Sequence, residues 1–201
     1  VGGVAPMGAA YLFVKDRTID TVGELSGKSI AVLEYDTAQA NMASRVGMSP
    51  VMSDITNFSG RFNNGSVDIC FAPIAAYSAL ELYKGMQPDG GIIDYVLGQL
   101  TAQVILKKDK FPADFAAQSR KYMLSQFDRA MRVIENANSE VNKKWWIRIP
   151  EADKLRYDEM LREARIALTK DGTYSKDMMS LLRKVRCKHE ASRAECVNPV
   201  E

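Results

Sequence analysis

The sequence predicts an α/β protein in which a parallel sheet crossed by helices occupies the middle of the chain and long helices follow it. Three observations carry this expectation. Residues 28–73 alternate short apolar runs with amphipathic helical stretches, residues 92–106 add two strand-like runs, and from Pro112 onward apolar residues recur at helical spacing. With 46% hydrophobic and 26% charged residues over 201 positions, the chain has enough apolar material for a sizeable core.

Taken in order, residues 4–14 read as a strand. Gly8, Ala9 and Ala10 are small enough for another element to approach, and Tyr11, Leu12 and Phe13 supply β-propensity before Lys15-Asp16 turns the chain. Residues 29–33 form a short apolar run of the kind a buried parallel strand shows. Asp36 or Thr37 then offers a capping oxygen to a helix with Ala40, Ala43 and Val46 on one side, which Gly47 ends. Residues 50–55 give a second strand. Thr56 caps a helix with Phe58 and Phe62 at i and i+4, Gly65 ends it, and residues 67–71 give a third strand. Two successive crossovers put the three strands side by side, so the loops at 34–37, 54–57 and 72–73 line one edge. Helix N-termini gather there and favour a polar or anionic ligand. Asp54 and Glu34, at strand ends, are the two acids to inspect for chemistry, at positions that favour a capping or solvated acid.

Pro73 suits the first turn of a helix bearing Ile74, Tyr77, Leu80 and Tyr83, with Tyr77 either core or ligand contact. Pro88-Asp89-Gly90-Gly91 turns the chain, and residues 92–96 and 100–106 read as strands. Met123, Phe127, Ala130, Ile134, Ala137 and Val141 draw one stripe along a helix of about thirty residues, ~45 Å long. A second helix starts at Pro150, carries Tyr157, Leu161, Ala164 and Leu168, and ends at Asp171-Gly172. A third carries Met178, Leu182 and Val185. Trp145 and Trp146 lie between the first two, as apolar plugs of a helix junction or, beside Arg148, as a stacking surface.

Several function classes find no support. Lysines and arginines are interleaved with acids at a net charge of +2, and no basic block alternates with aromatics as nucleic-acid binding requires. Gly27-Lys28-Ser29 ends like a phosphate loop, but Val22 stands where its first glycine belongs and a strand follows instead of a helix. The single histidine, His189, sits in a polar C-terminal tail, and no metalloprotease, nucleophile-elbow or dinucleotide motif is present. Neither an enzyme nor a cofactor is expected. The chain opens Val1-Gly2-Gly3-Val4 without a signal peptide, and residues 4–14 are too few to span a bilayer, which takes ~20.

Residues 25–32 (LSGKSIAV) and 47–73, the latter without a gap, resemble the second lobe of the periplasmic solute-binding proteins of TRAP-type transporters. There, L-x-G-x-K-I-R-V precedes a block of the form G-A-x-P-V-P-M-P-F-S-E-L-Y-x-A-L-Q-x-G-x-V-D-G-Q-E-N-P. Through LTAQVILKKDKFP, SQFDRA, RYDEMLREARIALT and LLRKVRCK the whole chain is similar to a group of solute-binding proteins of unassigned ligand, some of them labelled efflux-associated or resistance proteins. The resemblance implies a two-lobe, type II periplasmic-binding-protein-like α/β fold with long C-terminal helices and a truncated N-terminal lobe. Residues 1–27 would be a remnant of the first lobe and crossover, 28–106 the second lobe, 107–186 helices bracing the lobes, and 187–201 a disulfide-closed tail. A strand at 4–14 that has lost neighbours would invite a dimer through the shortened lobe.

The implied function is extracytoplasmic capture of a small polar organic molecule in an interlobe cleft for a membrane transporter. The alternative is a non-catalytic accessory component of an envelope or efflux complex. The family places an arginine that forks onto a substrate carboxylate where this chain has Ala31, and an asparagine where it has Ala72, so the carboxylate clamp does not carry over. Ligand contacts are expected from Tyr35, Asp36 and Thr37, from Asp54, Thr56 and Asn57, and from Phe71, Ala72 and Tyr77, around a neutral or amine-bearing solute. In an oxidising periplasm Cys187 and Cys196 would close a small loop, whereas a metal site with His189 lacks a fourth ligand. Cys70, on a buried strand, is expected to stay a free thiol.

Overall fold

A computed structural model describes residues 1–200, so only Glu201, the end of the expected tail, lies outside the described residues. The chain enters along β1 (Gly3–Val14), and the parallel unit follows: β2 (Ser29–Leu33), α1 (Thr37–Arg45), β3 (Ser49–Ser53), α2 (Phe58–Asn63) and β4 (Ile69–Pro73). β2 pairs in parallel with β3 through all five of its residues and with β4 at Ile30 and Ala31, which sets the three strands side by side as the sequence predicts. Local chemistry makes the unit. The Asp36 carboxylate caps α1 by accepting from the Gln39 N–H at 2.9 Å, and Gly47 and Gly65, at φ +79° and +77°, turn the chain out of α1 and α2. At the opposite end of the strands the Ser29 N–H and hydroxyl both donate to the Asp68 carboxylate, at 2.9 and 2.7 Å, and clip β2 to the start of β4.

α3 (Ala76–Ala79), β5 (Gly91–Ile93) and β6 (Gly98–Val104) come next. The helix expected after Pro73 is therefore a single turn. Glu81 at φ +53° breaks it, and turns carry the chain on to β5. β1 runs antiparallel to β4 over residues 10–14. On its other edge it pairs with β5 at Phe13 and Val14 and with β6 over residues 3–10. The expected loss of neighbours is thus confined to one edge of the outer half of β1, where no strand among the described residues pairs with residues 3–8 on the β4 side.

In place of one helix of about thirty residues there are two, α4 (Phe115–Ser125) and α5 (Phe127–Glu140), because Gln126 at φ −92°, ψ 1° leaves helical geometry. Met123 and Ile134 of the predicted stripe still pack on β1 across the break, whereas Phe127 is 48% exposed. A Cβ on Gly3 would lie 2.4 Å from Met123 Cγ and one on Gly8 2.7 Å from Ile134 Cγ2, so only glycine admits both helices this close. β7 (Trp146–Ile147) adds a short parallel partner to β5, and α6 (Glu151–Lys170), α7 (Lys176–His189) and α8 (Ala194–Val197) complete the chain.

Strand alternation divides the core into two layers. Leu12, Val14, Ile30, Val32 and Ile69 face one side with Ala43 of α1 and Tyr157 and Met160 of α6; Phe13, Ala31, Cys70 and Ala72 face the other with Phe62 of α2, Tyr77 of α3 and Trp145. Burying one such large apolar side chain contributes ~1.5–3 kcal/mol. Trp145 is the expected plug, and Trp146 packs edge-on against Tyr11 at 5.1 Å between ring centroids. Cys70 is a buried free thiol whose pKa burial pushes up to about 12. The expected disulfide-closed tail is largely helical: α7 runs through Cys187 to His189, and the bridge from Cys187 to Cys196 ties α8 back to it. Met178, Leu182 and Val185 do not reach the core, since α7 buries Met179 and leaves these three exposed.

Candidate functional site

The C-terminal ends of β2, β3 and β4 share one edge of the sheet because all three strands are parallel. The first two edge loops are tied together by the Glu34 N–H, which donates to the Ser53 carbonyl at 2.9 Å. β1 runs the other way. Its Ala10 pairs with Pro73, the last residue of β4, so residues 3–9 continue past the edge as a two-stranded ribbon with β6. A corner results, with the loops on one side and the ribbon on the other. The ribbon's share of it is not readable from the sequence: Ala9 and Ala10, opposite Gln99 and Gly98, stand beside Pro73. The small residues at 8–10 were the visible signal, and their partner could not be named before the pairing was known.

The expected site residues occupy this edge in three different ways. Tyr35, Thr37 and Thr56 are exposed on the first two loops. Asp36, Asp54 and Asn57 spend their polar atoms on the loops themselves. Beyond the Asp36 cap, the Asp54 carboxylate accepts from the Thr56 N–H at 2.7 Å, from the Thr56 hydroxyl, and from the Asn57 amide at 2.6 Å, while Asn57 Oδ1 accepts from the Asp54 N–H at 3.2 Å. The Thr56 hydroxyl and N–H hold the Asp54 carboxyl below the usual carboxylate range, so it is charged at neutral pH and its charge is already engaged. Phe71 is half-buried against the first core layer. Ala72 and Tyr77 are buried in the second, where Tyr77 lies 5.8 Å from the Tyr83 ring and burial raises its pKa against a hydrogen bond from Trp145.

Ala31 lies in that same second layer at 3% exposure, opposite Cys70 of β4. No guanidinium projects from this point of β2 towards the edge. Hydroxyls of Tyr35 and Thr37 and the backbone of three strand ends are what the corner offers a ligand, a chemistry of neutral hydrogen bonds. Among the described residues no group of three or more His, Cys, Asp or Glu side chains is placed to hold a metal ion.

A family model described as "Solute-binding protein AdeT 1/2" matches residues 1–201. The probable solute-binding protein AdeT1 of Acinetobacter baumannii is 44% identical over 196 residues, which is 98% of this chain and 64% of that protein. Among solved structures, a TRAP periplasmic solute-binding protein from Desulfovibrio salexigens with bound orotic acid superposes with a TM-score of 0.76 at 16% identity, over 90% of this chain and 60% of its own. One from Citrobacter koseri with bound D-glucuronate superposes at 0.67 and 16% identity, over 89% and 59%. These structural likenesses establish a shared α/β fold, and the chain spans under two thirds of the length of each of these three proteins.

Proposed function

Because the chain belongs to the solute-binding protein AdeT 1/2 family, we propose that it captures a small polar organic molecule outside the cytoplasm and delivers it to the membrane subunits of a transporter. The observation that carries this reading is the corner between the parallel-strand edge and the β1–β6 ribbon, in a fold shared with TRAP periplasmic solute-binding proteins. In this reading residues 28–106 supply the ligand-bearing lobe, residues 107–186 brace it, and the role is binding without catalysis. The Cys187–Cys196 bridge supports an oxidising compartment, the periplasm. Among the described residues no helix is long and apolar enough to cross a membrane.

The ligand class follows from what the corner holds. The two fold neighbours named above carry organic acids, orotic acid and D-glucuronate. In this chain alanine occupies position 31, Asp36 is engaged as the cap of α1, and Asp54 is engaged by Thr56 and Asn57 in the turn before α2. A neutral or amine-bearing solute rich in hydroxyl or amide groups fits better than a dicarboxylate. Tyr35, Thr37 and Thr56 would touch it. Asp36, Asp54 and Asn57 would hold the loops in place, and Phe71, Ala72 and Tyr77 would back them from the core.

Calorimetry with a panel of polyols, amides, amines and organic acids tests the reading. A polyol, amide or amine should bind, and Tyr35→Ala should weaken it several- to a hundredfold, the worth of ~1–3 kcal/mol, with an unchanged melting temperature because Tyr35 is 68% exposed. Asp54→Ala and Asn57→Ala should lower both affinity and melting temperature, since each unties the turn. Binding of organic acids alone would overturn the ligand class. An unchanged affinity in Tyr35→Ala and Asn57→Ala together would overturn the placement of the site.

A further inference from the structure

α7 is amphipathic in the reverse of the usual sense. A helix on a globular protein turns its apolar stripe to the core and its charges to water. Here Met179, Arg186 and Cys187 engage the protein: Met179 is buried, the Arg186 Nε donates to Glu195 at 3.0 Å, and Cys187 bridges to Cys196. Met178, Leu181, Leu182 and Val185, spaced i, i+3, i+4 and i+7, form a stripe on the other side and are 44 to 54% exposed. Four large aliphatic side chains aligned on a helix held by a disulfide and a buried ion pair are a built surface, unlike single exposed apolar residues scattered over a protein.

Charge selects the occupant. The helix carries Lys176, Arg183, Lys184, Arg186 and Lys188 against one acid, Asp177. Lys184 and Lys188 are exposed and stand three and seven residues after Leu181, which places them along one border of the stripe, with exposed Asp177, four residues before Leu181, at the N-terminal end of that border. An aliphatic stripe bordered by lysines on a helix of low overall hydrophobicity is what lies flat in the interface of an anionic bilayer. We propose that α7 is a peripheral membrane-docking helix that rests on anionic lipid through Met178, Leu181, Leu182 and Val185, with Lys184 and Lys188 on the headgroups. The proposal is independent of the solute site, because no expected site residue lies on α7. It supplies a carrier with a reversible hold on the membrane that houses its transporter.

Co-sedimentation of the intact chain with vesicles tests this. On vesicles of phosphatidylglycerol and phosphatidylcholine the partition coefficient should exceed that on phosphatidylcholine alone by at least about tenfold, since each lysine near an anionic surface contributes roughly a factor of five. It should fall several-fold at ~0.5 M salt, where the Debye length is only a few ångströms. Leu181→Ser with Leu182→Ser should reduce it by about tenfold or more, and both positions are exposed enough for the fold to tolerate the change. Lys184→Glu with Lys188→Glu should abolish the preference for anionic vesicles while leaving the apolar stripe intact. Equal partitioning onto both vesicle types, or binding unaffected by the serine pair, overturns the proposal. So does a dimer in solution that the serine pair dissolves while vesicle binding is absent, an outcome that assigns the stripe to a second copy of the chain.

Discussion

At the scale of single residues, Glu195 shows how a side chain from the end of the sequence becomes structural. Its carboxylate is 6% exposed and lies 3.0 Å from Arg186 Nε and 3.5 Å from Arg165 Nη2, which joins α8 to α7 and α6. Burial pushes its pKa up, but its hydrogen bonds and the two guanidinium charges outweigh burial and hold it below the usual range. A folded pKa below the unfolded value of about 4.3 means that the stabilisation is present above that pH and is lost as pH falls through the folded value. Glu195→Gln should therefore cost about 1–3 kcal/mol at pH 7 and flatten the acid limb of the stability curve, as measured by urea denaturation across pH. An acid limb identical to that of the parent chain would remove Glu195 from this role. Nothing in the sequence marks the triad, because its members lie 21 and 9 residues apart on three helices; only the cysteine spacing hints that residue 195 returns to α7. Asp54 was legible only as a choice, since an acid at a strand end reads as cap, solvated acid or ligand contact; its carboxylate closes the turn before α2 on Thr56 and Asn57.

At the scale of elements, the disulfide acts on one short helix. α8 has four residues, too few to persist alone, and is held by the bridge to Cys187 and by the Glu195 ion pairs. With a sequence separation of 9, the loop-entropy model gives the bridge about 2–3 kcal/mol. Reduction should therefore raise amide exchange across residues 190–198 while α6, packed through Tyr157, Met160, Ala164 and Leu168, keeps its protection. Loss of protection in α6 at the same rate would mean that α6, α7 and α8 unfold as one unit. The elements also separate what the sequence reveals from what it hides. The ends of α1, α6 and the strand at 29–33 were readable because Asp36, Gly47, Pro150 and Gly172 mark them locally. The break at Gln126 was not, for no glycine or proline stands there. Residues of both halves, Met123 and Ile134, pack on β1, while Phe127 beside the break turns to solvent.

At the scale of the whole molecule, the β2–α1–β3–α2–β4 unit was legible because each connection is short and each turn is written in its own residues. The position of β1 between β4 and β5 was not, since antiparallel pairing with strands some sixty and eighty residues away leaves no local trace. Beyond Ala10 the sheet narrows to the two strands of the ribbon, and among the described residues neither the outer edge of β6 nor the β4-side edge of β1 residues 3–8 has a partner strand. Unpaired N–H and C=O groups on a ribbon that also exposes Val4 and Met7, at 51 and 40%, template pairing with another strand. The chain should accordingly dimerise with rising concentration through ribbon edges. Val4→Lys with Ala102→Lys, at exposed positions on β1 and β6, should weaken that association by about tenfold or more, because charge on an edge strand disfavours further pairing. Sedimentation equilibrium decides the matter: a parent chain that stays monomeric at ~100 µM, or a dimer indifferent to the two lysines, would show that the ribbon edges do not associate.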